Sequence, residues 1–276
     1  MMSRRSLLSV AGLSSLAAAC TPLGALNGLN RLTPGDGGVR RIVDGAAYGS
    51  DARQRVDVWA PKHSKGPLPV IVFFYGGSWN SGLRDGYGFA ARALAARGFV
   101  VVVPDYRLVP QVRWPAFVED GAAAVRWTAA NIAAHGGDPA RIAVMGHSAG
   151  AHIAMLLTLN RKWGVADTFR ATVGLAGPYD FLPFTAGGAA DAALGNAADL
   201  ADTQPIHFAR KDAPPLLLLH GDKDTTVLPR NSQRLANAVG DLGGRAELKI
   251  YAGVTHVGIL LGLSKPFRGK APVLVD

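Results

Sequence analysis

The sequence predicts an α/β domain with a mostly parallel central sheet, helices on both faces and a small insertion near the mouth of a site. Three observations carry this. From about residue 41, continuously apolar runs alternate with stretches of helical spacing, the order produced by parallel strands joined through crossover helices. One of those runs leads through Gly146-His147-Ser148-Ala149-Gly150 straight into a helical stretch. One interval, residues 178–208, carries Pro, Gly, Ala and Asp with little periodicity and reads as an insertion or small cap, since aperiodic loops of that length are more often functional or disordered than neutral.

Residues 1–20 read MMSRRSLLSVAGLSSLAAAC. Two arginines precede an apolar stretch that ends in small residues, which is the order of a secretory signal and too short to span a bilayer comfortably. Ser3-Arg4-Arg5 is similar to the start of a twin-arginine export signal. Cys20 follows Leu16-Ala17-Ala18-Ala19 and resembles a bacterial lipoprotein cleavage site, so Cys20 is the candidate lipidation residue and membrane tether. Such sites carry leucine three places before the cysteine, and here it stands four before, so an ordinary cleavage site stays open. The expected location is periplasmic or membrane-anchored. Residues 21–40, rich in Gly, Leu, Asn and Pro, read as a flexible tether, and residues 41–276 as the domain.

Within the domain, residues 54–60 alternate polar and apolar, as an outer strand does. Residues 69–75 and 99–103 are apolar throughout, as strands buried on both faces are; residues 86–97 between them have helical spacing. Residues 115–134 predict a long helix with Phe117, Val118, Val125, Trp127 and Ile132 on its apolar positions. Residues 141–145 predict a third buried strand and 149–159 a helix. Strands are then expected at 171–176, 214–219 and 246–251, with a helix at 229–242.

The 276 residues suit one full-sized domain once a leader is removed. Apolar residues make up 49% and charged ones 18%, the balance of a packed chain and not of a disordered one. The formal charge is +9, but Lys and Arg are scattered without a run of five or six. With no zinc-ligand spacing and no basic-aromatic stripe, nucleic-acid binding is not expected. Cys20 is the only cysteine, which excludes an intrachain disulfide and any two-cysteine metal or redox motif.

The G-x-S-x-G pattern at 146–150 is common by itself; its place between a buried strand and a helix makes it specific. A serine at such a turn is held in an unfavourable backbone conformation, with Gly146 and Gly150 allowing neighbouring backbone to come close. Ser148 is therefore the candidate nucleophile. The amide of Ala149, in the first helical turn, is a candidate donor to an oxyanion, favoured by the helix dipole. Further donors are expected after an earlier strand, where Tyr75-Gly76-Gly77-Ser78-Trp79 stands. Gly77 and Ser78 are the candidates there, with Gly76 permitting the turn.

A general base should follow the nucleophile and the acid in chain order. Of His63, His135, His147, His152, His207, His220 and His256, the last lies on a loop after the final strand and is the candidate base. His220 opens its loop and reads as a brace, while His147 and His152, which flank the serine, read as packing or helix-face residues. Asp222 and Asp224 compete for the acid that orients the base. Asp224 is preferred because it clears the turn after Gly221, partly on the family pattern described next; Asp222 is expected to cap or brace the loop.

With these residues in place, the chain resembles the bacterial carboxylesterase branch of the α/β-hydrolases, which includes hormone-sensitive-lipase-like, feruloyl-esterase-like, kynurenine-formamidase-like and isoprenylcysteine-methylesterase-like enzymes. The resemblance runs from about Val56 to His256. It rests on Tyr-Gly-Gly-Ser-Trp at 75–79, Pro-Asp-Tyr-Arg-Leu at 104–108, Gly-Gly-Asp-Pro at 136–139, Gly-His-Ser-Ala-Gly-Ala-His at 146–152 and His-Gly-Asp-Lys-Asp-Thr-Thr-Val at 220–227.

The resemblance implies the α/β-hydrolase fold and cleavage of a carboxylic ester of a small molecule through an acyl-enzyme, without metal or organic cofactor. Alternatives are a formamidase or amidase acting on an N-acyl substrate, an extracytoplasmic glycan acyl esterase, and a non-catalytic binding protein on the same fold. Two departures stand out. The family's oxyanion motif usually begins with histidine, where this chain has Tyr75, and the helix usual after the catalytic histidine is expected to be short or missing.

Overall fold

Four consecutive valines and a proline form β4, Val100–Pro104, buried along its whole length. β-Branched residues suit a pleated strand, and an unbroken apolar run suits one covered on both faces. β3, Leu68–Phe74, is of the same kind, and Val70, Val72, Phe73 and Phe74 are fully buried in it. Each such side chain stabilises the fold by about 1.5–3 kcal/mol relative to exposure.

The computed structural model describes residues 28–29, 32–33 and 36–275. The predicted export signal, Cys20 and most of the predicted tether lie outside the described residues.

The remaining strands are β1 (Val39–Ala47), β2 (Arg55–Pro61), β5 (Gly137–His147), β6 (Phe169–Leu175), β7 (Leu216–Gly221) and β8 (Ala246–Tyr251). Among the described residues they make one sheet in the order β1-β2-β4-β3-β5-β6-β7-β8. β1 and β2 run antiparallel to each other, as do β2 and β4; every other neighbouring pair is parallel. This is the mostly parallel sheet that the sequence predicts.

Within residues 36–275 the α-helices are α1 (Gly88–Ala95), α2 (Ala116–Asn131), α3 (Ala149–Leu159), α4 (Ala189–Leu194), α5 (Arg230–Asp241) and α6 (His256–Leu261). The crossover from β3 to β4 runs one way along the sheet, and every later crossover runs the other way. Right-handed connections therefore put α1 on one face and α2, α3 and α5 on the other. All eleven residues of α3 are buried, as expected of a helix apolar on every side.

The reversal of direction positions the site. β3 and β5 are neighbours, paired from Val70↔Ile142 to Phe74↔Gly146, yet their chains continue in opposite directions across the sheet. The loops that leave their carboxyl ends lie side by side at a topological switch point, where open parallel sheets bind ligands.

Three features differ from the sequence expectation or add to it. β1 was not expected, since Val39-Arg-Arg-Ile-Val-Asp44 lacks strict alternation; its register against β2 is interrupted twice, which scrambles the period. The described residues before 41 make a contact as well. Asp36 is paired with Arg268 at 2.7 Å, which ties the end of the predicted tether to the C-terminal segment. Residues 178–208 hold α4 and two 3-10 turns, Leu200–Thr203 and Pro205–Phe208. The Trp114 amide donates to the Ala193 carbonyl at 2.8 Å, joining this interval to the loop before α2.

Candidate active site

The turn from β5 into α3 sets Ser148 at φ 54°, ψ −123°. A non-glycine residue in that region carries strain of roughly 1–3 kcal/mol and persists only where its surroundings hold it. The Ser148 amide donates to Leu175 of β6 at 2.9 Å, and the Ser148 carbonyl accepts from His152 at 3.1 Å. A Cβ at Gly150 would overlap the carbonyls of Phe74 and Tyr75, and one at Gly146 would overlap the Gly150 carbonyl. The two glycines thus let β3, β5 and α3 close on one another at the point where the serine emerges.

Three side chains from distant parts of the chain meet here. Ser148 Oγ lies 2.9 Å from His256 Nε2, and His256 Nδ1 lies 2.7 Å from Asp224 Oδ2. A carboxylate only accepts, so Nδ1 carries the imidazole proton and Nε2 offers its lone pair to the serine hydroxyl. His256 is the first residue of α6, which Thr255 caps by accepting from the Gly258 amide at 3.2 Å.

Asp224 is buried and well supplied with donors. Its Oδ1 accepts from the Thr226 and Val227 amides at 2.9 and 2.8 Å. Burial acts to raise its pKa, but hydrogen bonds from His220, His256 and the Val227 amide outweigh burial and hold the carboxyl well below the usual carboxylate range. His220 Nε2 is 2.8 Å from the Val227 carbonyl and 3.2 Å from Asp224 Oδ2. Since both are acceptors, Nε2 carries the proton, and Nδ1 accepts from the Ser232 hydroxyl at 2.8 Å. Asp222 faces elsewhere and accepts from the Gly253 amide at 2.7 Å, tying the loop after β7 to the one after β8.

The loop after β3 comes up against the serine. A Cβ at Gly76 would lie 3.0 Å from Ser148 Cβ. Gly77 has φ 134°, Ser78 φ 51° and Trp79 φ 58°, so three consecutive residues occupy the left-handed half of backbone space. The Gly77 carbonyl accepts from the Asn80 and Ser81 amides, both at 3.0 Å, closing the turn. Ser78 is exposed and Ser148 partly so.

Tyr75 turns its side chain inward. It stacks between Tyr87 and Tyr106, with ring centroids 5.0 and 4.9 Å away, and donates to Asp105 Oδ1 at 2.7 Å. Burial and then Asp105 push its hydroxyl pKa well above the ordinary tyrosine value. The carbonyls at the end of β3 are also bound from behind: the Tyr106 hydroxyl donates to Tyr75 at 2.9 Å and the Tyr87 hydroxyl to Gly76 at 3.2 Å. Arg84 bridges the buried carboxylates of Asp105 and Asp57 at 2.5 and 2.7 Å. These roles of Asp105 and Tyr106 escaped the sequence reading, although both lie in the Pro-Asp-Tyr-Arg-Leu block.

His147 and His152 flank the serine. His147 Nε2 is 3.0 Å from the His256 carbonyl, a contact no local pattern reveals. Burial, then the charge of His256, pushes the His147 pKa down to about 3. His152 Nε2 is 2.7 Å from the Thr203 carbonyl in the 178–208 interval, and burial pushes its pKa down to about 4. Phe181 of the same interval stacks on Trp79 at 6.3 Å and meets His152 edge-on at 5.7 Å. The interval therefore borders the site through an aromatic contact and a hydrogen bond.

Comparison with known proteins adds a lineage to this geometry. The family model described as BD-FAE matches residues 56–239. The isoprenylcysteine alpha-carbonyl methylesterase ICME of Arabidopsis thaliana is 31% identical over 265 residues, covering 86% of this chain and 60% of that protein. Esterase LipC of Mycobacterium tuberculosis is 34% identical over 211 residues, covering 68% of this chain and 51% of LipC. The chain thus matches about 60% of the length of the plant relatives. Among solved structures, a truncated carbohydrate esterase from gut microbiota superposes with TM-score 0.73 at 22% identity, over 84% of this chain and 95% of that one. The apo form of Thermogutta terrifontis esterase 2 gives TM-score 0.66 at 24% identity, over 81% of this chain and 86% of that one. At these identities the two structures speak to the fold alone.

Proposed function

This chain belongs to the BD-FAE family of α/β-hydrolases, and from that premise we propose that it hydrolyses carboxylic esters of small molecules through an acyl-enzyme on Ser148. The observation that carries the proposal is the unbroken line from Asp224 through His256 to Ser148, at 2.7 and 2.9 Å, on a strained strand-to-helix turn. The named methylesterase and esterase relatives support the same reaction class.

The chemistry follows from that line. His256 Nε2 takes the Ser148 proton as Oγ attacks the ester carbonyl carbon. Asp224 holds the tautomer and stabilises the imidazolium that forms. The oxyanion is held by the amides of Gly77, Ser78 and Ala149, with the dipole of α3 favouring negative charge at the same place. His256 then gives its proton to the departing alkoxide, and a water, deprotonated by the same ring, releases the acid.

The test is hydrolysis of p-nitrophenyl acetate, butyrate and octanoate by the wild-type protein and a Ser148→Ala variant with matching circular dichroism. Turnover by the wild type and loss of at least ~10³-fold in the variant is the expected result. Equal activity in both would remove Ser148 from its role.

The reading extends to the N-terminus, where Arg4, Arg5, the apolar stretch and Cys20 support export and a lipid anchor. A Cys20→Ser variant that moves from the membrane to the soluble fraction is expected; unchanged partitioning would dismiss the anchor.

A further inference from the structure

We propose that His147 is a positioning residue, holding His256 within reach of both Ser148 and Asp224 by donating from its Nε2 to the His256 carbonyl; this rests on the serine-hydrolase reading above. The contact is 3.0 Å long, and the two rings lie 4.9 Å apart. A carbonyl only accepts, so the bond fixes the Nε2–H tautomer of His147. The other nitrogen, Nδ1, is then an acceptor. It is turned toward Gly76, where an added Cβ would come within 2.9 Å of it. His147 is thereby wedged between the backbone of the β3 loop and the backbone of the base.

His256 needs such a support. It is carried by a six-residue helix that follows β8, the edge strand of the sheet, and the next residue, Val257, is 56% exposed. Ile259 and Leu260 anchor the helix in the core, and the Val254 carbonyl accepts from the Lys223 amide at 3.0 Å, so His147 acts at the helix's exposed N-terminal end. His147, by contrast, is the last residue of β5, paired with Leu175 of β6 and adjacent to Ser148. One rigid turn thus sets the position of the nucleophile and, through the next side chain, that of its base. Displacement by about 1 Å is enough to cost about 100-fold in rate. Burial keeps His147 neutral far below neutral pH, so no second positive charge stands beside His256 when that ring becomes an imidazolium.

The test uses three variants of the full chain. His147→Gln places an amide N–H near the position of Nε2; His147→Asn is polar but too short to reach the carbonyl; His147→Leu has no donor. Ester hydrolysis is measured alongside the downfield proton resonance of the His256–Asp224 hydrogen bond. The expected result for Asn and Leu is a kcat lower by roughly 10- to 100-fold with KM within about twofold, and a downfield resonance that is broadened or shifted. In the Gln variant both readouts should be largely restored. Wild-type kcat and an unaltered resonance in whichever of Asn and Leu folds would overturn the proposal, as would failure of Gln to rescue either readout. If the wild-type chain hydrolyses no ester, the functional reading fails separately, and the resonance alone decides: dependence on the residue at 147 supports the positioning role, and independence refutes it.

Discussion

Asp224 and Asp222 stand two residues apart on one loop, and their different fates show what a single residue's position decides. Asp222 braces the loop to Gly253, while Asp224 takes two amides on one oxygen and His256 on the other. Replacing Asp224 by Asn should keep the loop's shape but offer an amide where the imidazole N–H needs an acceptor. The imidazole then turns its wrong tautomer to the serine. The expected outcome is a kcat reduced by about 10⁴-fold with little change in circular dichroism, read by steady-state kinetics on p-nitrophenyl butyrate. The sequence favoured Asp224 over Asp222 because it clears the turn after Gly221, which is a local property, and partly because of the family pattern. It treated His147 as packing, because its bond to the His256 carbonyl joins residues more than a hundred positions apart and leaves no mark on the local pattern. Tyr75 lies between these cases. Its place in the motif was visible, but its inward stack between Tyr87 and Tyr106 depends on side chains from two later elements.

At the scale of an element, the backbone of the loop after β3 is held from behind. The carbonyls of Tyr75 and Gly76 are each taken by a tyrosine hydroxyl. Tyr106→Phe removes a buried donor and leaves the Tyr75 carbonyl without it, which should lower stability by about 1–3 kcal/mol in urea titration. If the loop supplies oxyanion donors, kcat should fall further than KM rises in Tyr106→Phe and Tyr87→Phe alike; an unchanged kcat in both would separate the tyrosines from the loop's function. The elbow is less forgiving. Gly150→Ala sets a Cβ against the Phe74 and Tyr75 carbonyls, and backbone there cannot step aside without opening the β3–β5 pair. A drop in melting temperature well beyond the ~4 °C typical of a 1 kcal/mol change is expected by calorimetry. Elements such as β4 and α3 were legible because an unbroken apolar run reports burial on every side. β1 was not, because its interrupted register and charged residues at an antiparallel edge erase the two-residue period.

For the whole molecule, the two buried histidines beside Ser148 make stability depend on pH in a window of their own. His152 joins α3 to Thr203, and burial lowers its pKa from the ordinary 6.5 to about 4. In the unfolded chain the ring gains its proton near 6.5, whereas in the folded protein it stays neutral until about 4. Between those values the unfolded state binds more protons, so stability falls as pH falls, by up to ~1.4 kcal/mol per pH unit for this group. Integrated over the window the loss is on the order of 3 kcal/mol, and it is complete below the folded pKa. His147, lowered to about 3, adds a slope of the same sign that continues to lower pH. Asp224 acts in a more acidic range: its depressed carboxyl contributes stability above the ordinary carboxylate pKa, which is lost only as pH drops through that range toward the folded value. The Asp224 window lies apart from the two that the histidines share, so a variant must separate His152 from His147. His152→Gln keeps an N–H near Nε2 for the Thr203 carbonyl and removes the titration. Urea midpoints at pH 7.5, 6.0, 5.0 and 4.5 are therefore expected to fall less steeply in this variant than in the wild type, with the difference confined to pH below about 6.5. A parallel decline in both proteins would mean that burial does not hold His152 neutral, and that acid lability arises in His147 and the carboxylates.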